Sequence, residues 1–259
     1  MIQKEFANKA VQILRDDENV TGLAAGGSWI TNEIDEYSDL DLILVTHDKI
    51  SPDKNKMVDY ATRLGKLLSA FTGEHVGEPR LLICLYDDPL LHVDIKFLTL
   101  KEFEQRIETP VILLDKGDTL KSILRQTEAK FPYPDYQWIE DRFWVWIHYM
   151  LTKISRGEYF EAIESLSFLR QMVLGPLLHI KNGNLPRGVR RAEFLLQEKD
   201  VESIKNTIAF YSKDSILESL QQAVSLYRHL RNELFATNIV LHADAEQRVM
   251  KYFKEVNQY

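Results

Sequence analysis

Apolar positions change their period about halfway along this chain. Up to about residue 130, alternating segments and short apolar runs dominate; beyond it, apolar residues recur every three or four positions. Phe6, Ala10, Ile13 and Leu14 form a helical stripe that stops at Asp16-Asp17-Glu18-Asn19. Residues 20–25 then predict a strand feeding a Gly-Ser turn, and 40–46 predict its neighbour. The stretch 52–71 predicts a helix with Val58, Ala61, Leu64, Leu67 and Leu68 on one side. Strands follow at about 80–86 and 90–98, joined by Asp87-Asp88-Pro89 as a turn. A short helix near 100–107 and a strand at 111–114 complete a mixed sheet.

The Phe131-Pro132-Tyr133-Pro134-Asp135 stretch ends this pattern. Its two prolines exclude a continuing helix, and Asp135 suits the N-cap of a new one. Three stripes follow: Ile139, Phe143, Ile147, Met150, Ile154; then Ile163, Leu166, Leu169, Val173, Leu177; then Ile216, Leu220, Val224, Tyr227, Leu230, Leu234. The second stripe is expected to bend or end near Gly175-Pro176. The fold class is therefore α+β: a mixed β-sheet with flanking helices over 1–130, followed by an all-α helical bundle over 131–259.

Charge divides along the same line. Residues 1–130 hold 16 Lys and Arg against 23 Asp and Glu, while the remainder holds 16 of each. The whole net charge of −7 thus lies in the first half. An acidic field disfavours nucleic acid, whose binding rests on neutralising phosphates, and attracts polycations. No run of 18 apolar residues and no signal-peptide core is seen, so no membrane span is expected. With a single cysteine, Cys84, set in a strand-like run, the chain reads as a cytoplasmic protein with a buried structural thiol.

The chemistry concentrates in residues 25–45. Gly26, Gly27 and Ser28 are small enough for backbone N–H groups to approach a phosphate. Asp39 and Asp41 lie two apart at the start of an apolar strand, so they project from one face. Paired carboxylates repel unless a cation sits between them, and their hard oxygens suit Mg²⁺. In residues 90–98, alternation places His92, Asp94 and Lys96 on one face and Val93, Ile95 and Phe97 on the other. An aspartate within a strand is disfavoured by propensity, and a shared metal would compensate for it.

The Gly27-Ser28 pair, its connector and Asp39-Leu40-Asp41 resemble the signature of the nucleotidyltransferase superfamily that includes DNA polymerase beta. Within it, the chain looks most like the small antibiotic nucleotidyltransferases that act on aminoglycosides or lincosamides. The resemblance implies that Gly27 and Ser28 bind the nucleotide phosphates and that Asp39 and Asp41 hold two Mg²⁺ ions. Asp94 carries over as a third acidic residue, either a metal ligand or the base for the acceptor hydroxyl. It also implies transfer of a nucleoside monophosphate, AMP from ATP foremost, to a small hydroxylated acceptor such as an antibiotic. A helical second domain of this size accompanies such enzymes as the far wall of the acceptor cleft. Two other readings stand beside it: a non-catalytic nucleotide-binding or antitoxin-like module, and a nucleotidyltransferase acting on protein.

Other candidates read as structural. Trp138, Trp144, Trp146 and Tyr149 fall at spacings typical of core aromatics, with Trp144 off the main stripe. Arg142 and His148 are six apart, a spacing also found in helical ribonucleases, but six residues turn about 600° and separate the two side chains. Lys181, Arg187, Arg190 and Arg191 border a Gly/Asn/Pro loop and read as a solvated cluster, or as groups reaching toward phosphate. No zinc-spaced Cys/His set, nucleophile elbow or P-loop lysine is present.

Overall fold

The computed structural model describes residues 1–258 and divides the chain into two compact units, 1–131 and 132–259. The first unit holds α1 (Ile2–Leu14), β1 (Val20–Ala25), β2 (Leu40–Thr46), α2 (Lys54–Leu64), β3 (Lys66–Gly73), β4 (Glu78–Asp87), β5 (Leu91–Thr99), α3 (Leu100–Phe103), β6 (Val111–Asp115) and α4 (Thr119–Gln126). Six strands form one mixed sheet in the order β3-β4-β5-β2-β1-β6. Only the β2–β5 pair among them is parallel.

Burial on the two faces of that sheet is unequal. Phe6, Ala10 and Leu14 of α1, with Met57, Ala61 and Leu64 of α2, cover Leu42, Leu44, Val93, Ile95 and Phe97. Each large apolar side chain so covered contributes roughly 1.5–3 kcal/mol. The Tyr86 hydroxyl donates to the Ala61 carbonyl at 2.8 Å, tying α2 to β4. On the opposite face, at the far end of β2 and β5, a smaller cluster gathers Val45, Leu98, Phe103 and Leu120. Cys84 is buried, and desolvation pushes its thiol up to about 12, which suits a structural role.

One expected element is wrong. Residues 66–71, read as the end of a helix, belong to the edge strand β3, paired antiparallel with β4 from Lys66↔Asp87 onward. The helix stops at Gly65, whose backbone is fully extended and whose Cβ would lie 3.1 Å from the Tyr86 ring. Leu67 and Leu68 continue the helical spacing from Leu64 by coincidence, and Leu68 is half exposed. Pairing with β4 outweighs that local pattern.

The second unit is helical among its described residues: α5 (Tyr136–Ser155), α6 (Tyr159–Leu169), α7 (Gly175–Lys181), α8 (Ala192–Leu195), α9 (Glu198–Lys205), α10 (Lys213–Leu234) and α11 (Ala243–Gln258). Asp135 caps α5 as expected, accepting from the Gln137 and Trp138 amides. The α-helix is interrupted just before Gly175-Pro176, near where the stripe was expected to bend or end. A π-helical turn over Arg170–Leu174 joins α6 to α7, and Pro176 sits in the first turn of α7, where proline is best tolerated. Gly175 is needed there, because a Cβ would lie 2.4 Å from the Gly188 carbonyl oxygen.

Trp144, the aromatic least predictable from spacing, is the most buried of the four. Its indole N–H donates to Glu140 at 3.3 Å. Glu140, fully buried, also accepts from the Tyr227 hydroxyl and, at 3.0 Å, from the His242 amide. Arg231 completes the network, 3.5 Å from Glu140 and 2.8 Å from Glu246. Phe143 stacks on Tyr227 at 3.6 Å between ring centres, so α5 and α10 are joined by apolar and polar contacts together. His148 is exposed beside Tyr252. No described helix is long and apolar enough to cross a membrane.

Glu140→Ala should destabilise the protein by about 3 kcal/mol, since it leaves the buried Tyr227 hydroxyl and Trp144 indole N–H without their acceptor and removes one of Arg231's two carboxylate partners. The exposed neighbouring change, Asp141→Ala, should cost far less, because solvent screens its contacts with Gln137 and His242. Urea midpoints of the two variants check the contrast.

Candidate active site

The site residues lie where β1 ends and β2 begins. After β1, Gly26 and Gly27 lead into a single 3₁₀ turn over Gly27–Trp29. That turn closes through the Trp29 amide on the Gly26 carbonyl (3.2 Å) and the Ile30 amide on the Gly27 carbonyl (3.1 Å). Ser28 lies within it, and its carbonyl accepts from Glu33 N–H at 3.0 Å. The chain returns through residues 30–39 to β2, and the Gly26 amide then donates to the Asp41 carbonyl at 3.0 Å. This bond continues the β1–β2 ladder one step past β1 and fixes the turn against the aspartate strand.

Gly27 has φ +56°, a left-handed conformation that glycine adopts without strain. The space matters more than the angle. A Cβ at Gly27 would stand 1.9 Å from Asp41 Oδ2, so the bare backbone lies directly against that carboxylate.

Asp41 pairs with Asp94 in the parallel register of β2 and β5. Side chains at paired positions share a face, so the two carboxylates are neighbours. Asp39 stands one residue before β2, and its charge is close enough to raise the proton affinity of Asp94. Desolvation is the larger cause of that rise, while His92 opposes it, its Nε2 lying 2.9 Å from Asp94 Oδ1. Lys96, on the same face, is held by Glu78 at 2.7 Å. The expected alternation of β5 holds throughout: Val93, Ile95 and Phe97 are buried on the other face. Among the described residues, no three His, Cys, Asp or Glu side chains form a ready-made metal-holding group.

Sequence reasoning missed Glu108, on the loop before β6. Its Oε1 accepts a hydrogen bond from the Gly27 amide at 3.1 Å, across 81 residues of chain. The signal was topological rather than local: β6 runs antiparallel to β1 with Ala25 opposite Val111, which brings the residues before β6 beside the Gly-Ser turn.

Two of the basic residues singled out in the sequence have structural partners. Lys181 is almost buried and pairs with Asp200 at 2.7 Å, which Asn182 also contacts at 2.8 Å. Arg142 stacks on Trp138, its guanidinium 4.4 Å from the ring centre.

A protein-family model described as streptomycin adenylyltransferase matches residues 2–256. No curated protein matches significantly. Among solved structures, similarity is found to an aminoglycoside 6-adenyltransferase from Bacillus subtilis, 17% identical, covering 98% of each chain with a TM-score of 0.40. It is also found to a spectinomycin adenyltransferase from Enterococcus faecialis solved with ATP and spectinomycin, 13% identical, covering 98% of this chain and 99% of that one, TM-score 0.32. A nucleotidyltransferase-like protein from Exiguobacterium sibiricum is 12% identical over 96% of this chain and 89% of that one, TM-score 0.36.

Gly27→Ala should cost clearly more stability than Gly77→Ala. Both place a side chain at positive φ, at about 1 kcal/mol or somewhat more, but nothing lies within 4 Å of a Cβ at Gly77. The Gly27 variant must also expel the Asp41 carboxylate, adding about 1–3 kcal/mol. Equal denaturation midpoints for the two would contradict the close contact.

Proposed function

The chain belongs to the streptomycin adenylyltransferase family, and we propose that it moves AMP from ATP, with Mg²⁺, onto a hydroxyl of a small aminoglycoside-like acceptor. Membership makes it an adenylyltransferase of the antibiotic-modifying type; the nucleotide, the metal, the acceptor and the residue roles are the proposal. The observation that carries it is the placement of Asp41 beside Asp94 on one sheet face, directly against the bare backbone of Gly27.

The donor set fits magnesium. Mg²⁺ is ordinarily held by one or two carboxylates together with substrate phosphates rather than by an all-protein cage. Asp39 and Asp41 would hold it, with two ions in the arrangement the superfamily implies. When bound, the metal supplies positive charge that offsets the phosphate oxygens as the bond to pyrophosphate breaks. The turn at Gly27 and Ser28 would receive the terminal phosphates on its backbone N–H groups, which small residues leave approachable.

Asp94 is the residue for the acceptor's proton. Desolvation raises its proton affinity above that of an ordinary aspartate, and the His92 ring holds its carboxylate in place. The acceptor oxygen attacks the α-phosphorus and forms the new P–O bond. The bond between the α-phosphorus and its bridging oxygen breaks, pyrophosphate departs, and the hydroxyl proton passes to Asp94. Positioning and electrostatics account for most of the rate.

Variants separate the roles. Asp39→Asn and Asp41→Asn should abolish adenylylation with the circular dichroism spectrum kept. Asp94→Asn should lower turnover about 10²–10⁴-fold, the range expected of a lost general base. An Asp41→Asn protein with full turnover contradicts the mechanism.

Binding offers a second check that needs no acceptor. Mg²⁺ with a non-hydrolysable ATP analogue should raise the melting temperature by mass action, about 2.7 kcal/mol of added stability at 100 times Kd. Each component alone should do less, and an unchanged melting curve contradicts nucleotide binding. If the acceptor is a polycation, the −7 balance of residues 1–130 predicts a several-fold weaker KM at physiological than at low salt. A lincosamide, with at most one positive charge, should respond weakly.

A further inference from the structure

The chain itself already places an anion on the glycine turn. The Gly27 N–H donates to Glu108 Oε1 at 3.1 Å, and a Cβ built on Gly26 would lie 3.1 Å from the same oxygen. The Glu108 carboxylate therefore binds the Gly27 amide and rests against the bare backbone of Gly26, while Asp41 fills the space a Gly27 side chain would take.

Its position is fixed from both sides. Two residues earlier, the Arg106 guanidinium bonds to the Thr127 hydroxyl and carbonyl, and the Arg106 carbonyl accepts from Lys130 N–H at 2.9 Å. Two residues later Pro110 is buried, and Val111 then enters the sheet opposite Ala25. The loop carrying Glu108 is thus held at its ends, while the half-buried glutamate side chain between them has rotatable bonds with which to leave the turn.

A carboxylate and a phosphate oxygen are both anionic acceptors, and each makes a short, charge-assisted bond to a backbone N–H. One N–H cannot serve both fully. We propose that Glu108 is a displaceable stand-in for a nucleotide phosphate: its carboxylate holds the Gly27 amide that the triphosphate takes, so nucleotide binding ejects it. This rests on the proposal that the Gly27 turn receives the triphosphate. Glu108 is then a positioning residue with two effects. It keeps the turn in its receptive conformation, and it competes with every incoming anion. A ligand offering one weak anionic oxygen gains little by replacing it, whereas a triphosphate gains several contacts at once. Glu108 thereby sets a threshold of anionic charge for entry.

The test is calorimetric titration of the full chain in the presence of Mg²⁺, using inorganic tripolyphosphate, a non-hydrolysable ATP analogue and inorganic phosphate. Glu108→Gln keeps the size and an acceptor oxygen but removes the charge. Glu108→Ala removes the acceptor as well. Both should bind tripolyphosphate and the analogue at least about fivefold more tightly than the unaltered protein, with the threshold against inorganic phosphate lowered. A merely structural glutamate gives the opposite: both variants melt lower and bind the analogue more weakly or equally. Equal or weaker binding by either folded variant, with the unaltered protein still binding the analogue, overturns the role of Glu108 and leaves the nucleotide reading standing. Failure of all three proteins to bind the analogue overturns both.

Discussion

Because β2 and β5 run parallel in a fixed register, Asp41 and Asp94 are forced to be neighbours on one face of the sheet. A slip of one residue would turn one carboxylate to the face covered by α1 and α2, where it would displace Leu42 or Val93. The apolar core therefore enforces the polar geometry. Parallel neighbours also require a long crossover, and residues 47–90 supply it through α2, β3 and β4. The same strand start meets the glycine turn through the bond from the Gly26 amide to the Asp41 carbonyl. Sheet pairing, turn and carboxylates are parts of one constraint.

The face pattern of β5 was legible in the sequence because alternation is a local property. His92, Asp94 and Lys96 fall together, opposite Val93, Ile95 and Phe97, with no tertiary information needed. The same holds for the stripe on α5 and the cap at Asp135, where period and capping chemistry are read from adjacent residues. The Gly-Ser turn and the Asp39–Asp41 pair could be placed in sequence for a similar reason: each is defined by its own few residues. The likeness of the signature to the antibiotic enzymes then agreed with a family match spanning residues 2–256.

What could not be read depended on distant partners. β3 is an edge strand whose apolar residues coincide with helical spacing, and only pairing with β4 decides its state. Glu108 is one of two glutamates on a short loop, and its position at Gly27 follows from where β6 docks on β1. Trp144 lies off the main stripe of α5 and is nevertheless buried, because Glu140, Tyr227 and Arg231 provide a polar network that accepts its N–H. Lys181 looked solvated in sequence, yet Asp200 draws it almost wholly inside. In each case the deciding partner lay on another element of the fold.

The central claim is chemical: the carboxylates beside the glycine turn direct AMP onto a small hydroxylated antibiotic. Its most direct test is to incubate the protein with ATP, Mg²⁺ and a panel of aminoglycosides and lincosamides, and to follow the mass of each drug. The account predicts that at least one aminoglycoside gains the mass of one AMP with release of pyrophosphate. If no drug in the panel gains AMP while a protein added to the same mixture does, the acceptor is of another class and the claim is contradicted.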